Sequence, residues 1–316
     1  MISSSITIKL TSFVFFTSLI FLSCGESPAP VVNQEAKFGE AEDRGIIENT
    51  ALDEASGLVA GRVNPNMLWS HNDSGDYNRI FLIDKFGKGQ KQFILEGAEN
   101  RDWEDIAISG DASGATIYVG DIGDNNSVYP SCAIYRFQEP KVSDSTPPSS
   151  TIKNVEKISY IYPDGARDAE CLMVDHQTKD IYILSKREDR KRLYRLPYPQ
   201  STTGITTAEF VGELDFSFPV GTSNDIKKAF YITAGDIAQN NQEIIIKSYI
   251  QVFYWKRGTN ESIYNTLKRP AKVLPYKVEP QGEGICFIPD ALGYYTISEE
   301  SDSKEPVHLY FYARKQ

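Results

Sequence analysis

Short runs of β-branched and aromatic residues, broken by clusters of Gly, Asp, Asn and Pro, fill residues 43–316, and almost none of that stretch carries the period of an amphipathic helix. The runs recur in five units of one layout: a small or acidic residue, an aliphatic, a turn, a strand, then another strand rich in Tyr and Phe. First strands read at 55–58, 103–106, 169–172, 234–237 and 282–285. Second strands centre on Trp69, Tyr118, Tyr182, Ile245 and Tyr295, and third strands on Phe81, Ile134, Tyr194, Phe253 and Tyr310. Fourth strands read at 92–95, 158–161, 210–213 and 272–274. The fifth unit runs out of chain after its third strand, and residues 45–48 are the simplest source of the missing one. The pattern predicts an all-β fold: a five-bladed β-propeller of four-stranded antiparallel blades, closed by an N-terminal strand. A sandwich of meanders, and a six-bladed ring with a further unit around residues 205–235, are the alternatives.

Composition agrees with one large β-domain, since 41% of the 316 residues are apolar. A net charge of −10 with no basic stripe argues against nucleic acid as a partner. Residues 1–23 read as a signal peptide: Lys9 precedes an apolar run from Phe13 to Leu22 that is short for a bilayer span. The ending Phe21-Leu22-Ser23-Cys24 resembles a bacterial lipobox, with Phe21 where Leu is usual. That resemblance implies acylation of Cys24, attachment to a membrane through lipid, and a place in the bacterial cell envelope; an ordinary secreted protein is the alternative. Residues 24–42 then read as a tether and 43–316 as a single propeller domain. Cys132, Cys171 and Cys286 are odd in number and lack metal-ligand spacing, and Cys171 and Cys286, in apolar strands, read as small core residues rather than a disulfide.

In an antiparallel meander the opening of each first strand and the loop between strands two and three lie at the same end. Polar residues from all units therefore converge on one mouth of the ring. Two positions before the aliphatic of each repeat stand Ser56, Glu104, Glu170, Gly235 and Glu283, and these should line the axis. Three carboxylates there require raised pKa values or a cation between them. Oxygen donors without His or Cys select Ca²⁺, and a flexible ring favours it over Mg²⁺. Hydrogen bonding between blades, with water in the tunnel, is the bland alternative. The loops 71–76, 120–126 and 185–190 add Asp73, Asp121 and the basic pair Lys186 and Arg187, although Asp, Asn and Gly also serve simply as turn formers. The first two loops lack the spacing of an EF-hand.

The order Ser56, Glu104, Glu170, a weak fourth position, Glu283 is similar to that of the calcium-activated nucleotidases, or soluble apyrases. The local matches are Leu68-Trp69-Ser70 through Asp73, Ala169-Glu170-Cys171, Leu184-Ser185-Lys186-Arg187, Ile246-Lys247-Ser248 and Glu283-Gly284-Ile285. The resemblance implies a five-bladed propeller with a central Ca²⁺ held by Ser and Glu side chains. It departs at Gly235, where that family has serine and where Thr233, Asp236, a carbonyl or water would have to substitute, and at Asn72-Asp73-Ser74, which lacks the family's arginine. The phrases Asn100-Arg101-Asp102-Trp103-Glu104-Asp105 and Gly120-Asp121-Ile122-Gly123-Asp124-Asn125 also resemble those of a group of secreted bacterial propellers.

Two functions of different class follow. One is a Ca²⁺-dependent hydrolase of a phosphate anhydride or ester, with Lys186 and Arg187 on phosphoryl oxygens and Asp73 or Asp121 as base. The other is a non-catalytic envelope module that binds a small molecule or protein at its mouth, with Ca²⁺ only pinning the blades. A glycosidase using two axial acids is a third possibility. No Ser-His-Asp arrangement is readable from His71, His176 and His308.

Overall fold

Five sheets, each opened by one of the expected first strands, stand around a common axis. The structure, a computed structural model, describes residues 36–216, 222–300 and 305–316. The expected signal peptide, Cys24 and most of the expected tether lie outside the described residues.

The first blade runs Ala55–Ala60, Met67–Asn72, Arg79–Asp84 and Lys91–Leu95 from the inside outwards. The second runs Trp103–Asp111, Gly114–Asp121, Cys132–Gln138 and Glu156–Ile161. The third runs Ala169–Val174, Ile181–Ser185, Arg190–Leu196 and Glu209–Asp215, and the fourth Ile232–Ile237, Glu243–Ser248, Val252–Lys256 and Lys272–Leu274. The fifth comprises Gln281–Phe287, Gly293–Glu299 and His308–Ala313, and its outer strand is Glu42–Ile46 from the start of the chain, antiparallel to His308–Ala313. Each inner strand packs against those of both neighbouring blades, so the ring closes.

Two outer strands were not legible as such. Ser149–Ile152, from the second blade's outer connection, adds in parallel to the first blade, and Ile205–Thr207, from the third blade's, adds in parallel to the second. Each therefore stitches a blade to the one before it. No sixth sheet occurs among the described residues; the region 205–235 holds Ile205–Thr207, the third blade's outer strand and the short helix Asn224–Lys228. The domain also begins ahead of residue 43: Phe38 is 3% exposed, bridges Arg314, and meets Tyr254 and Tyr294 edge-on at 6.2 and 5.1 Å.

The apolar core is divided among the blade interfaces. Trp69, Phe93, Trp103 and Tyr135 fill the space between the first and second blades, and Leu58, Phe81, Ile297 and Phe311 that between the fifth and first. Both faces of an inner strand are thus covered, and every residue of Ala55–Ala60, Ala169–Val174 and Ile232–Ile237 is buried. Each large side chain so buried contributes about 1.5–3 kcal/mol. Cys132, Cys171 and Cys286 are buried free thiols within these layers.

One device recurs in all five inner strands. The pairing register shifts near the start, between Ala55 and Gly57, Trp103 and Asp105, Ala169 and Cys171, Ile232 and Ala234, and Gly282 and Gly284. A bulge removes its extra residue from the ladder and re-aims the side chain. The extra residues are Ser56, Glu104, Glu170, Thr233 and Glu283.

Candidate metal centre

The bulges set five polar side chains at one end of the ring, and the loops supply the rest. Two acidic triads form there, Asp73 with Asp102 and Glu104, and Glu104 with Asp168 and Glu170. In each triad one carboxylate oxygen per residue lies within 4.8 Å of the others, and Glu104 belongs to both. Asp73 comes from the loop after the first blade's second strand, while Asp102 and Asp168 precede the bulge residues of blades two and three. The second triad is wholly buried, whereas the first opens towards solvent on its Asp73 side.

Electrostatics follow from this crowding. Burial, then Asp73, with Glu283 and Asp102 adding to it, holds the Glu104 carboxyl well above the usual range, and Lys186 only partly opposes the effect. Burial pushes Asp73 up to about 7, with Glu283 and Asp102 adding repulsion. Asp102 is raised by burial and by Asp168 and Asp121. In all three burial is the largest cause, and like charge from the neighbouring carboxylates adds to it.

The compensation present is specific. Lys186, itself buried, pairs with Glu170 Oε1, while Glu170 Oε2 is buried without any hydrogen-bond partner. Asp168 accepts the Asp124 amide at 2.9 Å and the Arg187 guanidinium, which also reaches Asn125. Glu283 is satisfied differently, by Tyr249 at 2.9 Å and Ser56 at 3.3 Å. Ser56 also donates to the Glu104 carbonyl at 2.8 Å, and Thr233 to the Gly282 carbonyl at 3.3 Å, so both hydroxyls join one blade to the next.

Of the expected axial residues, the structure therefore brings Glu104 and Glu170 together, places Ser56 and Glu283 beside them, and sets Gly235 apart. Gly235 lies two residues past the fourth bulge, where its N–H meets Asp105 at 3.3 Å. A Cβ on Gly235 would stand 2.7 Å from Cys171 Sγ, so glycine there answers a close approach of blades. Thr233 holds the bulge position instead. Asp121 is turned to structural work: it accepts the Asp102 amide at 2.9 Å, lies 3.7 Å from Arg101, and joins neither triad. Asp102 and Asp168 were missed as members of the triads, although both stand in an Asp-x-Glu pattern, Asp102-Trp103-Glu104 and Asp168-Ala169-Glu170.

The donor set fits a hard cation. It is all carboxylate and drawn from different blades, and one of its members, Glu170, carries an oxygen without a hydrogen-bond partner. Gly123 shows how closely the second blade's loop is laid over it, since a Cβ there would lie 2.2 Å from Glu104 Oε1 and 2.6 Å from Asp102 Oδ2. These atoms, and Asp102 Cγ also at 2.6 Å, belong to side-chain carboxyl groups rather than to backbone, so they can move. Gly123→Ala is accordingly expected to change ion-free stability by less than about 1 kcal/mol yet to weaken Ca²⁺ binding roughly tenfold or more, read by urea denaturation and calorimetric titration. Unchanged affinity would show that the carboxylates need not hold their present positions.

No family model matches the sequence, and no curated protein matches it. Among solved structures, the chain is similar to the PQQ-bound form of Aldose Sugar Dehydrogenase from Streptomyces coelicolor, with 10% identity and a TM-score of 0.49, covering 88% of this chain and 98% of that one. It is also similar to Kuenenia stuttgartiensis Hydrazine Synthase, with 12% identity and a TM-score of 0.40, covering 83% of this chain and 96% of that one. Neither likeness bears on the chemistry of the mouth.

Proposed function

We propose that the chain is a Ca²⁺-dependent ligand-binding propeller of the bacterial cell envelope, attached to the membrane through lipid on Cys24, with its ligand site at the mouth. The observation that carries this reading is the pair of triads sharing Glu104, together with the buried and unpartnered Glu170 Oε2. Asp73, Asp102, Glu104, Asp168 and Glu170 would hold the cation. When bound, the ion would neutralise the cluster and offer a positive centre to an oxygen of the ligand. The half-open Asp73 side of the first triad is the approach for that ligand.

A second reading, hydrolysis of a phosphate anhydride or ester as the nucleotidase resemblance implies, is favoured by one observation. Asp73 is the partly exposed member of the triads, so water on the solvent side reaches this carboxylate first. Arg187 is placed to meet an oxyanion, whereas Lys186 is engaged by Glu170 and Asp121 by Asp102. A screen of nucleotides and phosphoesters should then show turnover that needs Ca²⁺ and is lost in Asp73→Asn; no turnover leaves the binding reading alone.

The binding reading has a pH signature. Asp73, Asp102 and Glu104 have raised values in the ion-free fold, so the native state holds protons that the unfolded chain has released. Ion-free stability therefore falls as pH rises from the ordinary carboxylate range through about 7, the value for Asp73. Cation binding needs those groups ionised, so its stabilising effect grows over the same window. Saturating Ca²⁺ is expected to raise Tm by about 5–10 °C near pH 8 and by less than about 2 °C near pH 5. Equal shifts at both values would separate the bound ion from these carboxylates.

A further inference from the structure

Beside the acidic mouth lies a cavity of about 360 Å³ with the opposite charge. Arg187, Lys191, Lys227 and Lys228 line it with Tyr231 and, among the described side chains of its wall, the carboxylate of Asp189. Four cations around one small cavity are unexpected in a chain of net charge −10.

The cations are held in place by the fold. Lys191 is 1% exposed, and its ammonium donates to the Lys186 carbonyl at 2.7 Å and the Glu188 carbonyl at 2.6 Å, two of its three donors. Lys227 is oriented by both oxygens of Asp189 at 2.9 Å. Tyr231 carries two cations near its ring, Arg187 at 5.4 Å and Lys191 at 5.3 Å. Arg187 connects the two regions: its Nε is bound to Asp168 of the buried triad, while its side chain remains 37% exposed at the cavity. A planar guanidinium offers five donors, and only part of that fork is used by Asp168 and Asn125.

We propose that this cavity is an oxyanion subsite, taking a tetrahedral phosphate or sulfate group of the ligand whose other part reaches the cation triads. The link between the two sites rests on the cation reading above; the subsite stands on its own lining. Ordering a dianion here requires no movement of Lys191 or Arg187, because backbone carbonyls and Asp168 already fix them.

The test is calorimetric titration of the full chain in detergent with inorganic phosphate, with sulfate, and with acetate as the monoanion control, alongside a separate titration with Ca²⁺. Phosphate or sulfate is expected to bind better than acetate. The Lys227→Ala, Lys228→Ala double variant should lose roughly tenfold or more of that affinity, with Lys228→Arg retaining it and Ca²⁺ binding unchanged. Absence of phosphate and sulfate binding to the wild-type chain, or binding equal in the double variant, overturns the subsite. A double variant with a lowered Tm is replaced by Lys228→Glu alone, for which unchanged phosphate and sulfate affinity has the same meaning. Oxyanion binding without any Ca²⁺ binding keeps the subsite and removes the cation reading; Ca²⁺ binding without oxyanion binding does the reverse.

Discussion

Glu104→Gln is expected to lower Ca²⁺ affinity by about a hundredfold or more while leaving the ion-free fold as stable as the wild type. Glu104 is the member common to both triads, so one substitution removes a charged oxygen donor from each. The same crowding explains why the fold should tolerate it. Burial and the neighbouring carboxylates hold Glu104 well above the usual range, so the ion-free fold favours the neutral form of that side chain. Glutamine keeps that shape and neutrality, and the Ser56 hydroxyl bonds the Glu104 backbone carbonyl rather than the side chain. Calorimetric titration near pH 8 reads the affinity and thermal denaturation the fold. Wild-type affinity in the variant would remove Glu104 from the site, and a large loss of ion-free stability would make it a structural residue.

The second large effect lies one residue deeper. Asp105→Ala should destabilise the propeller by about 3–5 kcal/mol, a fall in Tm of roughly 10 °C. Asp105 is fully buried and accepts three backbone N–H groups: Ile106 at 2.9 Å, Leu172 at 2.8 Å and Gly235 at 3.3 Å. Those donors belong to the second, third and fourth blades, so one carboxyl joins three of the five inner strands under the triads. Alanine leaves buried N–H groups without acceptors, which is the costly half of a broken hydrogen bond. Asp105→Asn should fall between, since one oxygen remains to serve Leu172 and Gly235 while an amide faces the Ile106 N–H. Chemical denaturation measures both variants, and a loss below about 1 kcal/mol for alanine would show that the three amides find other partners.

The strands that make the blades were legible because both the turn residues and the apolar runs repeat. The closing strand was legible too, although it pairs over Glu42–Ile46 rather than 45–48, with a register shift between Asp43 and Gly45. Ser149–Ile152 and Ile205–Thr207 were not, being short, rich in Ser and Thr, and largely exposed, so no apolar alternation marks them. The slip in the fourth blade has a definite cause. Matching Ile237 to Leu58 moved the repeat by two residues, and a shift of two keeps every side chain on its own face, so alternation cannot detect it. The register shows Gly235, not Ile237, at the position equivalent to Leu58, two residues past the bulge, with Cys171 and Met173 occupying the space an aliphatic side chain would need. Asp102 and Asp168 escaped because a bulge, which sequence alone does not reveal, folds two residues of an Asp-x-Glu segment towards one point.

The central claim is tested most directly by diffraction from crystals grown with Ca²⁺ near pH 8, with anomalous differences measured at long wavelength. The account predicts an anomalous peak in contact with Glu104 and at least one further triad carboxylate, with Glu170 Oε2 no longer lacking a partner. A mouth without such a peak, with Glu170 held by Lys186 alone, would contradict it.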